Sequence, residues 1–284
     1  MTFPDQDSVN RIIQTALEED IGRGDLTSAA TLGEGTRLQL VMATREEIVV
    51  AGLDIAEQIF CRLAPDAKIQ CQAKDADKLA SGTLLMTLEG PAHGLLTAER
   101  TALNLVQMLS GIATETRRYV DAIDGTGAVL LDTRKTIPGL RALSKYAAAM
   151  GGATNHRMRL DDGVLIKDNH IAVAGSVARA VTLAQQAGLI DIEVECDTLE
   201  QATQALECGA EKILLDNMSN NELCQAVKMT AGRIPLEASG GVNLQTIRAI
   251  AETGVDFISV GRITQSAPAV DIGLDIASGW AKSF

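Results

Sequence analysis

The stretch IEVECDTLEQATQALECGAEKILLDN, residues 192–217, carries the pattern that decides the fold. Two short runs, residues 192–194 and 213–215, are rich in the aliphatic side chains that buried strands prefer. Between them, residues 199–208 place apolar side chains at helical spacing. A strand, a helix and a second strand in this order predict a β-α-β unit whose two strands lie parallel.

The same alternation continues on both sides of this unit through the second half of the chain. Further strands are predicted at residues 129–131, 164–166, 236 and 257–260, and further helices at 177–187, 221–229 and 244–253. A rhythm this regular predicts a parallel sheet covered by helices, and closure into a barrel is the favoured form.

The first half of the chain lacks that rhythm. Residues 36–90 mix short strands with a helix, which indicates an α+β region. Before it, residues 8–19 have helical spacing, with Ser8 as the predicted N-cap. After it, residues 95–123 form a long helical pattern that the pair Ser110-Gly111 should interrupt or kink.

Polar side chains stand where the predicted strands of the second half end. Six of them lie at or just past a carboxyl-terminal strand end: Asp132, Lys167, Glu195, Asp216, Glu237 and Ser239. In (β/α) barrels that rim is where active sites form. A single charged strand end is consistent with a loop residue that meets water. Both signs of charge on one rim predict instead a polar mouth over an apolar core.

A basic segment, residues 132–170, lies within an acidic chain of formal net charge -12. It contains seven lysines and arginines against four aspartates, and it holds two of the three histidines. Glycine, proline and threonine residues interrupt the charges and shape loops around them. Because like charges focus potential in a cleft, the segment predicts an anion site, with a solvated basic face as the alternative.

Two glycine clusters near the last predicted strands suit a phosphate. Residues 239–243, SGGVN, follow one strand and precede a helix, and residues 260–262, VGR, follow the final strand. Glycines let backbone N–H groups approach an anion, and a helix N-terminus adds a favourable dipole. Phosphate sites of barrels usually lie on these late loops, so the two clusters together support such a site more than either does alone.

The composition excludes several classes of protein. The hydrophobic content of 46% supplies a core, but no apolar run is long enough to span a membrane. With 2% aromatic residues and a strong negative charge, the chain has neither the basic surface nor the stacking platforms of a nucleic-acid groove. The five cysteines form no CxxC pair, and the N-terminus has no secretion signal, so a reducing cytoplasm is expected.

The segments DTRKTIPGLR, GGATNHR and LIKDNH, in this order and spacing, resemble the quinolinate phosphoribosyltransferase family (carboxylating nicotinate-nucleotide pyrophosphorylases). Further matching segments are EDIGRGDLTS, ERTALNLVQMLSGIAT, IEVECD, ILLDN, LEASGGV and GVDFISVGRIT. The resemblance implies an α/β chain with the type II phosphoribosyltransferase fold. Its N-terminal α/β sandwich domain would span residues 1–116, joined by 271–284, and its open, incomplete (β/α) barrel domain residues 117–270. A homodimer, or a larger assembly of dimers, is implied as well.

The implied activity is that of a decarboxylating pentosyltransferase of NAD biosynthesis. Quinolinate and phosphoribosyl pyrophosphate (PRPP) would give nicotinate mononucleotide, carbon dioxide and pyrophosphate, with Mg²⁺ required. Quinolinate is a planar dicarboxylate, and guanidinium groups bind carboxylates through paired hydrogen bonds. The family pattern assigns four residues to the two carboxylates: Arg134, His156, Arg157 and Lys167.

The remaining implied site residues serve the second substrate and the subunit interface. Arg100 would reach in from the neighbouring subunit, and Lys135 would stabilise the leaving pyrophosphate. Glu195 and Asp216 would lie near the ribose and bind Mg²⁺, which takes oxygen ligands. The 5′-phosphate would be held by Ser239, Gly240, Gly241 and Gly261.

Three positions depart from the family pattern: Ala153, Arg159 and Gln265. A third glycine, a small residue and a histidine, respectively, are common there. Three alternatives stay open: a sister transferase acting on another aromatic acid, a Schiff-base barrel lyase that uses Lys167, and a regulator that binds these ligands without turnover. The full set of four carboxylate-binding residues favours the dicarboxylate.

Overall fold

The computed structural model describes residues 3–277, and the chain divides into two compact units. The first contains the described residues up to Arg117, Ile137–Gly151 and those from Ser266 onward, and the second contains Arg118–Thr136 and Gly152–Gln265. The sequence prediction placed residues 137–151 in the barrel domain, whereas their contacts group them with the first unit.

Helices and strands alternate along the described chain. The helices are α1 (Gln6–Ile21), α2 (Leu26–Thr31), α3 (Leu53–Leu63), α4 (Ala92–Ala122), α5 (Arg141–Met150), α6 (Asp168–Ala174), α7 (Val177–Gln186), α8 (Leu199–Glu207), α9 (Asn220–Thr230), α10 (Ile247–Ala251) and α11 (Arg262–Gln265). The strands are β1 (Arg37–Thr44), β2 (Ile48–Val49), β3 (Lys68–Cys71), β4 (Lys78–Leu79), β5 (Leu84–Pro91), β6 (Val129–Leu131), β7 (Val164–Ile166), β8 (Ile192–Cys196), β9 (Lys212–Asp216), β10 (Leu236–Ser239), β11 (Phe257–Ser259) and β12 (Ile272–Ile276). In this part of the chain, no helix combines the length and the apolar character that crossing a bilayer requires.

The first unit is built on a four-stranded antiparallel sheet in the order β12-β1-β5-β3. Burial alternates along β1, where Leu38, Leu40 and Met42 are buried, because successive side chains of a strand point to opposite faces. The last strand returns to the beginning of the chain, since Leu40 pairs with Ile276. Together with α1 and α3, this sheet forms the α/β domain that the resemblance implied.

Helix α1 begins earlier than the sequence predicted. The carboxylate of Asp5, and not the hydroxyl of Ser8, caps it, because Asp5 Oδ1 accepts the Ser8 N–H at 2.9 Å. A carboxylate at this position also interacts favourably with the helix dipole. The prediction of Ser8 as N-cap is therefore wrong, and the helix begins at Gln6.

Of the expected break or kink of α4 at Ser110 and Gly111, the break is wrong, because one helix runs from Ala92 to Ala122. Ser110 Oγ accepts the Ala51 N–H at 3.0 Å and donates to the Ala51 carbonyl at 3.2 Å. Gly111 allows a close approach, because a Cβ there would lie 2.1 Å from the carbonyl oxygen of Pro268. Both residues serve packing inside the first unit, and the helix continues through them.

The segment 137–151 belongs to the first unit because α5 makes specific contacts there. The hydroxyl of Tyr146 donates to Asp75 Oδ2 at 2.7 Å. Gly151 follows the helix, and a Cβ at that position would lie 2.5 Å from the carbonyl oxygen of Ala113 on α4. These contacts arise from tertiary packing, which the local sequence pattern does not report.

The second unit is a six-stranded parallel sheet in the order β6-β11-β10-β9-β8-β7. The end strands β6 and β7 do not pair with each other, so the barrel is open and incomplete. Helices separate most of the strands in sequence, and α7 and α8 pack against β8. The predicted fold, an open (β/α) barrel together with a sheet domain, is confirmed.

Alternation along β8 places its apolar residues on one face and its acidic residues on the other. The apolar residues are fully buried: Ile192, Val194 and Cys196. The opposite face carries Glu193 and Glu195, and neighbouring strands continue it, since Glu193 pairs in register with Lys212 of β9. The polar residues of the sheet therefore share one face, which holds the candidate site.

Candidate active site

The carboxyl-terminal edge of the parallel sheet collects most of the residues that the sequence singled out. In the spatial order of the strands it presents Lys167 after β7, Glu195 in β8, Asp216 at the end of β9, Ser239 at the end of β10, Gly261 after β11, and Arg134 and Lys135 after β6. Because parallel strands all end at the same edge, these residues form a single rim in the second unit.

Glu195 and Asp216 form the acidic part of the rim. Glu195 makes an ion pair with the ammonium group of Lys167. Burial raises the pKa of Asp216, and the charge of Asp197 adds to this effect, while Lys167 and Lys135 oppose it. Two carboxylates between lysines can bind a cation and a phosphorylated ligand at the same place.

Two arginines form the cationic part of the site. Burial lowers the pKa of Arg157, and the positive charge of Arg134 lowers it further, so the two guanidinium groups interact. Arg157 Nη1 donates to the carbonyl of Gly163 at 2.9 Å. Arg134 Nε is buried and has no hydrogen-bond partner within residues 3–277. Two interacting like charges with an unpaired buried donor are arranged to receive an anion.

A cavity of about 270 Å³ lies beside the rim, at the loops that follow β6, β10 and β11. Its walls are formed by Thr133, Lys135, residues 239–243, residues 259–262 and Gln265. Gly240 has a φ of +92°, and a Cβ there would lie 2.2 Å from Asn217 Oδ1. A Cβ on Gly261 would lie 2.7 Å from Lys135 Cδ. Position 240 therefore requires glycine, whereas a Cβ at Gly261 would displace only the flexible Lys135 side chain. Such loops offer backbone N–H groups to a phosphate.

The segment that carries His156 and Arg157 is tied to the end of β6. Thr154 makes an isolated parallel bridge to that strand. The buried carboxylate of Asp132 accepts the His156 N–H at 2.8 Å and the side-chain amide of Asn155 at 2.5 Å. The sequence counted Asp132 among the polar strand ends of the rim, whereas the structure gives it the role of an internal anchor.

His156 is held on both of its ring nitrogens by protein groups. Nε2 lies 3.1 Å from Glu193 Oε2 and 3.5 Å from Glu237 Oε2. Nδ1 accepts the backbone N–H of Arg157 at 2.8 Å. The side chain is only 13% exposed. In this arrangement the ring has no free nitrogen for the substrate carboxylate that the resemblance assigned to it.

Opposing effects act on the protonation of the His156 ring. Burial lowers its pKa, but the hydrogen bonds and charges of Glu193 and Glu237 outweigh burial and raise the pKa to about 9. The bond from the Arg157 N–H, in contrast, requires an unprotonated Nδ1. The hydrogen-bond geometry therefore assigns the neutral ring with its proton on Nε2, facing the carboxylates.

Lys212 completes this buried cluster. Its Nζ lies 3.1 Å from Glu193 Oε1, 2.5 Å from Glu237 Oε2 and 4.7 Å from the centre of the Phe257 ring. Burial lowers the pKa of Lys212, but the two carboxylates raise it on balance. The ligand atoms of His156, Glu193 and Glu237 are close enough together to hold a metal ion. The ammonium group of Lys212, however, already makes ion pairs with both carboxylates and balances one of their two negative charges.

The sequence placed Glu237 on the polar rim, and this is wrong, because Glu237 is fully buried at the second position of β10. Glu193 and Lys212 were not identified at all. A signal for Glu193 was present in the strand period, since a residue two positions before Glu195 points to the same face. The contact of Glu193 and Glu237 with His156 depends on the conformation of an irregular loop, which the local sequence pattern does not predict.

Arg100 lies in the first unit, exposed on α4. Within the part of the chain that the structure describes, it makes no hydrogen bond or ion pair. Its role in the site of a neighbouring subunit stays a prediction. Asn243 and Arg262, which also line the cavity, belong to the two glycine clusters that the sequence singled out, whereas Thr133, a further wall residue, had no predicted role at a phosphate.

The three departures from the family pattern have local consequences. Ala153 is buried and has no positive φ, so its backbone does not require glycine. Arg159 is 74% exposed and pairs with Asp161 at 3.1 Å, which makes it a surface contact. Gln265 lines the glycine-walled cavity, where it supplies a polar side chain in the place of histidine.

Comparisons with known proteins agree with this geometry. The models for the N-terminal and C-terminal domains of quinolinate phosphoribosyl transferase match residues 25–110 and 112–275. A probable carboxylating nicotinate-nucleotide pyrophosphorylase of Synechocystis sp. is 46% identical over 269 residues, which cover 93% of this chain and 91% of the relative. The carboxylating nicotinate-nucleotide pyrophosphorylase of Mycobacterium leprae is 44% identical over 277 residues, with 95% and 98% covered.

A solved structure extends the likeness to three dimensions. The nicotinate-nucleotide pyrophosphorylase of Francisella tularensis matches with a TM-score of 0.93 and 42% identity, over 96% of this chain and 97% of that one. Family models that cover both halves of the sequence, relatives of this identity and a fold match over nearly the whole chain lead to one assignment. The chain belongs to the quinolinate phosphoribosyltransferase family.

Proposed function

We propose that this chain is a decarboxylating phosphoribosyltransferase of NAD biosynthesis, which joins quinolinate to PRPP and releases nicotinate mononucleotide, carbon dioxide and pyrophosphate. The observation that carries the proposal is the set of groups on one rim. A cationic pair, two carboxylates and a glycine-walled cavity lie there together. The cationic pair suits a dicarboxylate, the two carboxylates suit a ribose with its leaving group, and the cavity suits a 5′-phosphate.

Recognition of quinolinate rests on Arg134, Arg157 and Lys167. A guanidinium group binds a carboxylate through two parallel hydrogen bonds, which orients a planar ring as well as holding it. Arg134 Nε has no hydrogen-bond partner among the described residues, and the bond from Arg157 Nη1 to Gly163 leaves the other donors of Arg157 for a ligand. Lys167 adds a third positive charge beside the acidic pair.

The transfer step uses the acidic pair and Lys135. When pyrophosphate leaves the ribose C1 with the bonding electrons, positive charge develops on the sugar, and the carboxylates of Glu195 and Asp216 stabilise it. Lys135, in the wall of the cavity, stabilises the negative charge of the leaving pyrophosphate. The lone pair of the pyridine nitrogen then forms the new bond to C1, which requires the two substrates to be held in line.

Decarboxylation follows from the charge of the product ring. Once bonded to ribose, the pyridine nitrogen is quaternary and positive. Its positive charge stabilises the electron pair that remains on the adjacent ring carbon when the carboxylate leaves as carbon dioxide, and a proton then binds to that carbon. The substrate is its own electron sink, so the protein contributes positioning and electrostatics.

Mg²⁺ is the proposed cofactor, and the residues fit it. Glu195 and Asp216 offer hard oxygen ligands from adjacent strands. Burial and the nearby charge of Asp197 both raise the pKa of Asp216, and a bound cation offsets such an accumulation of negative charge. When bound together with PRPP, the ion would neutralise part of the pyrophosphate charge.

The proposed assembly is a homodimer in which Arg100 of each subunit serves the site of its partner. An exposed guanidinium group on α4 that makes no hydrogen bond or ion pair with residues 3–277 supports this role. A cytoplasmic location remains a prediction from the sequence.

The test is to mix the purified protein with quinolinate, PRPP and Mg²⁺ and to measure carbon dioxide and pyrophosphate. Equimolar release of both is the expected result. Nicotinate in place of quinolinate is the control, since a sister transferase would release pyrophosphate with nicotinate and no carbon dioxide. Binding of both ligands without any release would identify a regulator and contradict the proposal.

A Schiff-base lyase is tested separately with borohydride and a carbonyl substrate. Formation of the Schiff base needs an uncharged amine, whereas Lys167 makes an ion pair with Glu195. No trapping at Lys167 is therefore expected.

A further inference from the structure

We propose that His156 is a positioning residue. Its Nδ1 fixes the main chain of Arg157 by accepting the Arg157 N–H, and the ring does not itself bind the substrate carboxylate. Glu193, Lys212 and Glu237 hold its ring in place. The inference rests on the proposed function, because it is there that Arg157 is assigned to quinolinate.

Side chains anchor three consecutive backbone N–H groups of the segment that carries His156 and Arg157. The His156 N–H donates to Asp132 at 2.8 Å, the Arg157 N–H to His156 Nδ1 at 2.8 Å, and the Met158 N–H to Asp162 at 2.7 Å. These residues lie outside helices and strands, so no ladder of backbone bonds holds them. Side chains have taken over that role at each position.

Contacts at Nε2 hold the His156 ring in its orientation. Nδ1 can accept the Arg157 N–H only while the imidazole keeps its orientation, and Nε2 provides the fixed point at Glu193 and Glu237. Lys212 makes an ion pair with Glu193 and a hydrogen-bonded ion pair with Glu237, and so keeps both carboxylates in place. The four side chains form a connected chain in which each one orients the next.

This chain of contacts ends at Arg157, the residue assigned to the substrate carboxylate under the proposed function. The guanidinium group of Arg157 is fixed separately by the carbonyl of Gly163. Arg157 is thus held at its backbone by His156 and at its side chain by Gly163. A side chain fixed at both ends loses little freedom on binding and meets a carboxylate in a constant geometry.

Direct contact with substrate is a poor alternative for the members of the cluster. The exposed fractions of the side chains are 13% for His156, 7% for Glu193 and 1% for Glu237. His156 Nε2 is already bonded to Glu193 Oε2, and Glu237 Oε2 accepts from Lys212. The two remaining carboxylate oxygens, Glu193 Oε1 and Glu237 Oε1, are buried and accept no hydrogen bond within residues 3–277.

A double-mutant cycle on quinolinate affinity tests the inference. Calorimetry without PRPP compares the wild type, His156→Ala, Arg157→Ala and the double variant. Loss of a partner in a buried hydrogen bond should weaken binding in His156→Ala by about tenfold. If His156 acts through Arg157, the double variant binds no more weakly than Arg157→Ala alone. If the two losses multiply, His156 contacts the ligand itself and the proposal is overturned.

Two conservative variants separate the ring nitrogens. The amide of His156→Asn can occupy the place of Nδ1 and accept the Arg157 N–H, whereas that of His156→Gln reaches the place of Nε2. The proposal expects the asparagine variant to retain more of the quinolinate affinity than the glutamine variant. The opposite order would show that Nε2 acts on the ligand.

Lys212→Met tests the far end of the chain of contacts. It should raise KM for quinolinate and leave KM for PRPP unchanged, which a general loss of structure would not do. Lys228→Met, at an exposed position of α9, is the matched control and should change neither constant. Equal changes in both constants would contradict the inference. If the wild type binds no quinolinate at all, the proposed function is wrong. That result differs from both possible results of the double-mutant cycle, which requires measurable binding by the wild type.

Discussion

Arg157 is the residue on which carboxylate recognition depends most directly. Replacement by alanine removes a charge-assisted contact from a half-buried site, a loss that typically amounts to about 2–5 kcal/mol. Quinolinate affinity measured by calorimetry should fall by more than about tenfold, with the fold intact by circular dichroism.

Arg159→Ala is the matched control, because it removes an exposed guanidinium group only two residues away. It should leave quinolinate affinity unchanged, since exposed ion pairs contribute little. Equal affinity in wild type and Arg157→Ala would remove Arg157 from the site.

Gly240 is the residue on which the phosphate cavity depends. Alanine there combines backbone strain at a φ of +92° with a Cβ 2.2 Å from Asn217 Oδ1. We expect a displaced cavity wall and a raised KM for PRPP in steady-state kinetics, with quinolinate affinity less affected.

Gly254→Ala separates strain from collision. Gly254 has nearly the same φ, +93°, but a Cβ there meets only Val227, at 3.4 Å. Both variants should carry a strain cost of about 1–3 kcal/mol, seen as a lower Tm. Only Gly240→Ala should change KM for PRPP, and a similar rise in Gly254→Ala would show that strain alone explains the effect.

A rim residue could be predicted from the sequence when its position depends only on the strand that carries it. Glu195 and Asp216 end or nearly end strands of a β-α-β unit, so their shared edge follows from local pattern. The orientation of His156 could not be predicted in this way, because it depends on where an irregular loop meets Glu193 and Glu237.

At the scale of elements, the neighbouring strands β8 and β9 bring two carboxylates to one edge. Glu195→Gln and Asp216→Asn keep shape and remove charge. Each should reduce turnover by a factor of about a hundred or more, because stabilisation of developing charge is lost, while quinolinate affinity without PRPP changes little.

Glu200→Gln, on the exposed side of α8, is the control for loss of a carboxylate and should keep wild-type turnover. Turnover is measured at limiting Mg²⁺, where loss of an ion ligand has the largest effect. Near wild-type activity of either site variant under these conditions would show that the acidic pair is misassigned.

In helix α4, replacement of a glycine by alanine is predicted to lower the stability of the protein, although the same change usually stabilises an exposed helix. In an exposed helix, glycine to alanine stabilises by about 1 kcal/mol. In Gly111→Ala, however, the new Cβ would lie 2.1 Å from the carbonyl oxygen of Pro268. The variant should therefore lose about 1–3 kcal/mol in urea unfolding. Asn104→Ala, at an exposed position of the same helix, should be neutral or slightly stabilising, and a stabilised Gly111→Ala would contradict the packing argument.

Helices and strands could be predicted from the sequence where the apolar residues followed a single helical or strand spacing. The bounds of β6 and β7 agree with the predicted runs, because each is a short apolar segment with turns on both sides. The placement of α5 could not be predicted, since it depends on the contact of Tyr146 with Asp75, far away in the chain. The start of α1 was missed because Asp5 and Ser8 are both good capping residues.

At the scale of the whole molecule, positive charge is concentrated at the site although the chain as a whole is negative. The chain carries a formal net charge of -12, yet its rim holds two interacting guanidinium groups and two lysines near Asp216. Both proposed substrates are anions. An acidic exterior favours solubility, while the local cationic site sets where an anion binds.

Arg100 is the proposed link between two such molecules. A two-fold dimer gives two equivalent sites, each completed by the partner's Arg100. Arg100→Ala and Lys135→Ala should then each be nearly inactive alone. In a hybrid dimer of these two variants, one site receives both defects and the other receives neither.

Random re-association makes roughly half of the dimers hybrid, so about a quarter of all sites should be intact. The experiment mixes the two variants under mildly dissociating conditions, restores the buffer and assays carbon dioxide release. Recovery towards about a quarter of wild-type activity supports a shared site, because neither parent can supply it. Each variant taken through the same treatment alone is the control and should stay inactive. If mass spectrometry confirms subunit exchange and no activity returns, Arg100 acts within its own chain or outside the site, and the dimer loses its proposed catalytic role.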